Sequence, residues 1–179
     1  MIKRMMAALL AATMLLTLGG CNSKKEKEKA AADVQSKISQ SFQTTAKVNY
    51  KDLEAVMTIY KKPMNCATVM FESPDSLKDM KLTFYPEKVG IEYKDMKFDF
   101  VPDSLPGKAA SKLVLSALNT AMNDDGVSIE QNGSQLIING KIDAGDFSLV
   151  IDAASGNILK LTIPNSDLEM EILNFKILE

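Results

Sequence analysis

Residues 80–101 read MKLTFYPEKVGIEYKDMKFDFV. Met80, Leu82 and Phe84 alternate with Lys81, Thr83 and Tyr85. Val89, Ile91 and Tyr93 alternate with Gly90, Glu92 and Lys94, and Met96, Phe98 and Phe100 with Lys97, Asp99 and Val101. Three successive runs at period two predict antiparallel strands with one apolar and one wetter face. The same pattern extends upstream, where Leu53, Ala55, Met57 and Ile59 alternate with Glu54, Val56, Thr58 and Tyr60. Pro63, Pro74 and Pro86 fall between runs, as turn residues should.

Downstream, Pro102–Gly107 breaks the alternation and the period changes to that of a helix, from about Lys108 to Met122. Ala109, Leu113, Ala117 and Leu118 form its main face, widened by Val114, Leu115, Ala121 and Met122. A helix this apolar must be heavily buried or must cover an apolar surface. Strands then resume. Asn132-Gly133 is a hairpin signal joining Val127–Gln131 to Gln135–Lys141, followed by Asp146–Asp152, Asn157–Ile163 and Asp167–Phe175. Upstream of the first strands, Asp33 can cap a helix running to about Thr44, with Val34, Ile38 and Phe42 on one stripe. The total is about eleven strands and two main helices.

The N-terminus reads as an address. Lys3 and Arg4 precede an apolar run from Met5 to Leu18, which is shorter than the roughly 20 residues that span a bilayer. It ends in Leu18-Gly19-Gly20-Cys21, which resembles the bacterial lipobox. Residues 1–20 are expected to be a lipoprotein signal peptide. The Cys21 thiol would carry a diacylglycerol, placing the protein on the extracytoplasmic face of the cell membrane. Residues 21–32, with Lys24-Lys25-Glu26-Lys27-Glu28-Lys29, read as a lipidated Cys and charged tether, and residues 33–179 as one domain. Glu26 and Glu28 dilute any attraction to anionic headgroups.

Composition removes whole classes of chemistry. The chain has 179 residues with no His, no Trp and two Cys. A Ser-His-Asp or Cys-His triad lacks its imidazole, and His-ligated metal sites lack their ligand. No phosphate-binding glycine loop occurs. With 21 basic and 23 acidic residues there is no basic excess for nucleic acid. No catalytic residue, metal or cofactor is therefore expected. Cys66 reads as a small buried residue, and Asn123-Asp124-Asp125-Gly126 as the turn that ends the second helix. Met57, Met64, Met70, Met80 and Met96 concentrate flexible, polarizable side chains in the first half of the sheet, which suits an adaptable apolar surface.

The order of elements resembles the LolA/LolB-type lipoprotein carriers. Tyr60-Lys61-Lys62-Pro63 followed by Phe71-Glu72-Ser73-Pro74 is similar to that family's early strand pair. Val150-Ile151-Asp152 through Ser155-Gly156-Asn157-Ile158 is similar to its closing hairpins. The resemblance spans roughly Val34 to Lys176. It implies an α+β fold: a strongly curved, mostly antiparallel sheet forming an unclosed barrel, with an N-terminal helix and an inserted apolar helix on the concave side. Carriers latch their helical lid with an Arg before Pro. Lys62 stands at the matching place, a point charge where Arg would fork two hydrogen bonds. Soluble carriers lack a lipobox, so this sequence is closer to anchored members. The implied activity is binding of a lipid or other apolar ligand, with Met57, Met80, Leu82, Phe84, Ile91, Phe98, Phe100, Leu113 and Ala117 as candidate lining. The alternative is an envelope protein-interaction or sensing module with a filled core.

Overall fold

Alternation makes the strands and also decides which face is buried. The computed structural model describes residues 36, 39–63, 66–101, 109–123 and 126–178. The expected signal peptide, Cys21, the expected tether, Met64, residues 102–108 and Asp124–Asp125 lie outside the described residues.

Eleven strands form one sheet. They are β1 (Phe42–Tyr50), β2 (Leu53–Lys61), β3 (Ala67–Ser73), β4 (Lys81–Phe84), β5 (Val89–Tyr93), β6 (Met96–Phe100), β7 (Ser128–Asn132), β8 (Gln135–Ile142), β9 (Gly145–Asp152), β10 (Ile158–Ile163) and β11 (Leu168–Ile177). Their order is β6-β5-β4-β3-β2-β1-β11-β10-β9-β8-β7, and every neighbouring pair is antiparallel. Two meanders thus meet where β1 pairs with β11. Among the described residues β6 and β7 are the two edges and do not pair with each other, so the barrel is unclosed. Register shifts at Thr45/Ala46, Val56/Met57 and Ile158/Lys160 mark bulges, which bend strands and increase their twist.

The chain between the two free edges carries helix α1 (Ala110–Met122). Leu113, Val114, Ala117, Leu118 and Ala121 are buried on it, in one cluster with Met57, Ile59, Leu149, Ile151 and Leu161 of the sheet. The helix packs mainly on β8. Its N-cap Ala109 makes no side-chain hydrogen bond, and neither end carries a charge complementing the helix dipole. Burial, not capping, holds it in place.

Three expectations are corrected in detail. The helix expected to run to Thr44 gives way to β1 at Phe42, although Ser36 is helical. Phe42 and Ala46 lie four apart, a spacing that fits either period. Tertiary pairing decides it: Phe42 sits opposite Lys61 and Ile177, with its ring 5.0 Å from that of Phe175. The β7–β8 turn is Gly133-Ser134, one residue later than expected, because Asn132 pairs with Gln135 and Gly133 takes the positive φ of +60°. Cys66 lies just before β3 and is half-buried; its carbonyl accepts the Lys62 N–H at 2.8 Å.

Candidate functional site

Burial falls steadily across the concave face from β3 to β6. Val69 is fully buried and its neighbour Leu82 nearly so. Ile91, opposite Leu82, is half-buried. Phe98, opposite Ile91, is 50% exposed. In the flanking rows burial is lost only at the edge: half-buried Phe84 and buried Val89 lead to Phe100, 38% exposed, and half-buried Tyr93 leads to Met96, 48% exposed. The Phe98 and Phe100 rings lie 6.3 Å apart, tilted by 40°. The core therefore continues into an open apolar floor at this end of the sheet, away from β8 where α1 packs.

The predicted lining residues divide accordingly. Met57, Leu113 and Ala117 are locked in the packed core, with Leu82 at its margin. Met80, Phe84 and Ile91 are partly buried against it. Phe98 and Phe100 are open. Lys62 is exposed at the β2–β3 turn.

Sequence reasoning passed over Lys61. It continues the inward series Ala55, Met57, Ile59, and only 2% of it is exposed. Parity alone could have found it. Its Nζ donates to the Lys62 carbonyl at 2.6 Å. Desolvation lowers the Lys61 pKa below its ordinary 10.5, against a smaller upward pull from Cys66. Between the lowered value and 10.5 the unfolded chain binds more protons, so Lys61 makes stability rise with pH across that window. Lys61→Met is expected to raise stability by about 1–2 kcal/mol at pH 7, because it removes a buried charge while keeping most of the volume. It should also flatten the alkaline rise. Urea unfolding at neutral and alkaline pH measures both; a loss of stability at pH 7 would count against a desolvation penalty.

The outer face of the same strands is polar. Lys81 and Lys97 both reach Glu92, each at 3.2 Å, and Lys88 reaches Asp99 at 3.0 Å. Hydrogen bonds from Lys81 and Lys97 hold the Glu92 carboxyl below its usual range, and the bond to Asp99 raises the Lys88 pKa. Gly90 lies between Thr83 and Asp99, and these residues line a recess of about 310 Å³ together with Lys81, Lys88 and Lys97. A second outer recess, of about 510 Å³, lies over β1–β3. There the Thr45 and Thr58 hydroxyls share a hydrogen bond of 2.8 Å, and Thr58 donates onward to Glu72. These recesses offer solvated, internally paired charges. The apolar floor is, by contrast, a surface on which burial is still to be gained.

No family model matches the sequence, and no curated protein matches it. Solved structures do. An uncharacterized conserved protein from Thermus thermophilus matches with a TM-score of 0.54 at 14% identity, covering 86% of this chain and 88% of that one. The likeness is one of fold. The LolA superfamily protein NE2245 from Nitrosomonas europaea matches with a TM-score of 0.42 at 9% identity, over 86% of this chain and 94% of that one. A chain from the complex of the CwlD amidase from Clostridioides difficile with the GerS lipoprotein matches with a TM-score of 0.44 at 13% identity, over 86% and 93%. The open eleven-stranded half-barrel is the architecture that the LolA/LolB resemblance implies.

Proposed function

We propose that this chain is a non-catalytic lipoprotein, anchored through a diacylglycerol on Cys21 at the extracytoplasmic face of the cell membrane, that binds a lipid or other apolar molecule on its concave face. One observation carries the reading: Met96, Phe98 and Phe100 continue the core floor yet stand open to water. Fully burying a Phe side chain is worth about 1.5–3 kcal/mol, and rings that are about half exposed keep roughly half of that for a ligand to gain, so an acyl chain laid along this floor is held by apolar contact without directed bonds. Met80, Leu82, Phe84 and Ile91 form the inner wall of that site, and the anchor keeps it beside the membrane that supplies the ligand.

A second reading has its own support. The interior beneath α1 is filled by Leu113, Leu118, Leu149 and Leu161, all buried in one cluster. That favours an envelope protein-interaction or sensing module, in which the open floor receives a protein and no lipid.

Native mass spectrometry of the detergent-extracted full-length chain separates them. The expected spectrum carries a covalent diacylglyceryl mass lost in Cys21→Ser, and a non-covalent lipid mass. Phe98→Ser with Phe100→Ser should weaken binding of a fluorescent fatty acid roughly tenfold or more. A clean apo mass together with no uptake of the probe would sink the lipid reading and leave the interaction module.

A further inference from the structure

We propose that β6 is a homodimerisation edge: it pairs antiparallel with β6 of a second copy about a two-fold axis through Phe98. The inference rests on main-chain geometry and charge order, and stands apart from whatever ligand the concave face takes.

Among the described residues β6 ends the sheet, and one side of its backbone has no strand neighbour there. The β5–β6 hairpin closes through the two residues Lys94 and Asp95, with Tyr93 opposite Met96. A two-residue turn closes on a hydrogen-bonded pair, and such pairs alternate along an antiparallel ladder. The N–H and C=O groups of Met96, Phe98 and Phe100 therefore face β5. Those of Lys97 and Asp99 face outward. The close approach at Gly90 agrees, since a Cβ there would lie 3.3 Å from Asp99 Oδ1, as expected of the narrow, non-hydrogen-bonded pair.

Two copies of this edge can bond only by setting outward-facing residues opposite each other. Three registers do so. One stacks Lys97 on Lys97 of the second copy, and one stacks Asp99 on Asp99; like charges directly opposite are destabilising. The third sets Lys97 opposite Asp99 twice over, with four main-chain hydrogen bonds and Phe98 opposite Phe98 on the axis. Met96 then faces Phe100, so the apolar row on the concave side is matched as well. The outer face gains an alternating line: Lys81, Glu92, Lys97, then Asp99 of the second copy, which already holds its own Lys88. Exposed edges are ordinarily protected against pairing. Here the five residues Met-Lys-Phe-Asp-Phe are self-complementary in charge and in apolarity, as an isologous interface requires. The other free edge offers no such match, because the same turn logic at Gly133-Ser134 sends the backbone of Ile129 and Gln131 outward.

The test uses the mature-length chain, residues 21–179, carrying Cys21→Ser and Cys66→Ser, examined by sedimentation velocity over a concentration series. This protein should show a monomer–dimer equilibrium. Lys97→Asp and Asp99→Lys should each weaken the dimer roughly tenfold or more, since each turns two attractions into two repulsions. An equimolar mixture of the two variants should dimerise again, because every cross-pair is then of opposite charge. In the same background Phe98→Cys should cross-link under mild oxidation faster than Lys97→Cys or Asp99→Cys, as a narrow pair brings Cα atoms within disulfide range. Circular dichroism establishes that each variant is folded. A wild-type edge that stays monomeric at its highest soluble concentration would overturn the proposal. So would single variants that dimerise as well as the parent, a mixture that fails to recover, or equal cross-linking at all three positions.

Discussion

Leu118→Ala is expected to destabilise the fold by about 2–5 kcal/mol, measured as a lowered urea midpoint. Thirteen residues without a capping side chain make a helix that is marginal in isolation. What keeps α1 in place is its buried stripe, and Leu118 is a fully buried member of it. Truncating the side chain loses its burial and leaves a cavity between helix and sheet that a barrel wall braced by ten neighbouring strand pairs cannot easily close. Ser116→Ala, on the half-exposed side of the same helix, should change stability by no more than about 0.5 kcal/mol. If both substitutions behaved alike, α1 would be an ornament on the sheet and not part of its core. A second readout follows from the position of the helix. Loosening α1 uncovers Leu136 and Ile138 of β8, so the variant should bind an environment-sensitive apolar dye more strongly below its unfolding transition.

The sheet was legible because its strands alternate. Ala55, Met57 and Ile59 are inward as their parity demands, and so are Leu136 and Ile138. The inserted helix was legible because its apolar face is unusually wide, and its observed start at Ala110 differs little from the expected one. Local pattern failed where two periods coincide. Phe42 and Ala46 satisfy both, and only the pairing of β1 with β11, which is distant in sequence, selects the strand. Long-range pairing also decides which strands end the sheet. That is why nothing in residues 96–100 alone distinguished an exposed floor from a buried one.

The candidate site was half legible for the same reason. Apolar parity placed Met57 and Phe98 on one face, and the structure puts one in the core and the other in water. The difference is their distance from α1 in the strand order, a topological quantity. Lys61 shows the converse. Its parity was plain, but a lysine among polar neighbours reads as solvated until the strands on both sides, through Phe42 and Ala67, are seen to enclose it.

Gly140→Val is expected to cost about 3 kcal/mol or more, at the upper end of what overpacking usually produces. Gly140 sits in the middle of β8 at an inward position, opposite Phe147 of β9. The Phe147 ring lies across it. A Cβ at this position would fall 2.7 Å from two ring carbons and 3.0 Å from Val127 Cγ1. The constraint is space, unlike that at Gly133, where the surroundings are open and the positive φ is what demands glycine. Phe147 cannot swing aside cheaply, because it is itself buried among the core residues of β8 and β9. A ring laid over a strand glycine in this way covers the backbone that the missing side chain leaves bare. The two positions should therefore be coupled. Phe147→Ala alone should cost about 3–5 kcal/mol through the cavity it opens. Combined with Gly140→Val, the new methyl groups occupy part of that cavity, and the double variant should be less destabilised than the sum of the two by roughly 1–3 kcal/mol. Additive costs would mean that ring and glycine do not share the space, and that the tight contact is relieved some other way.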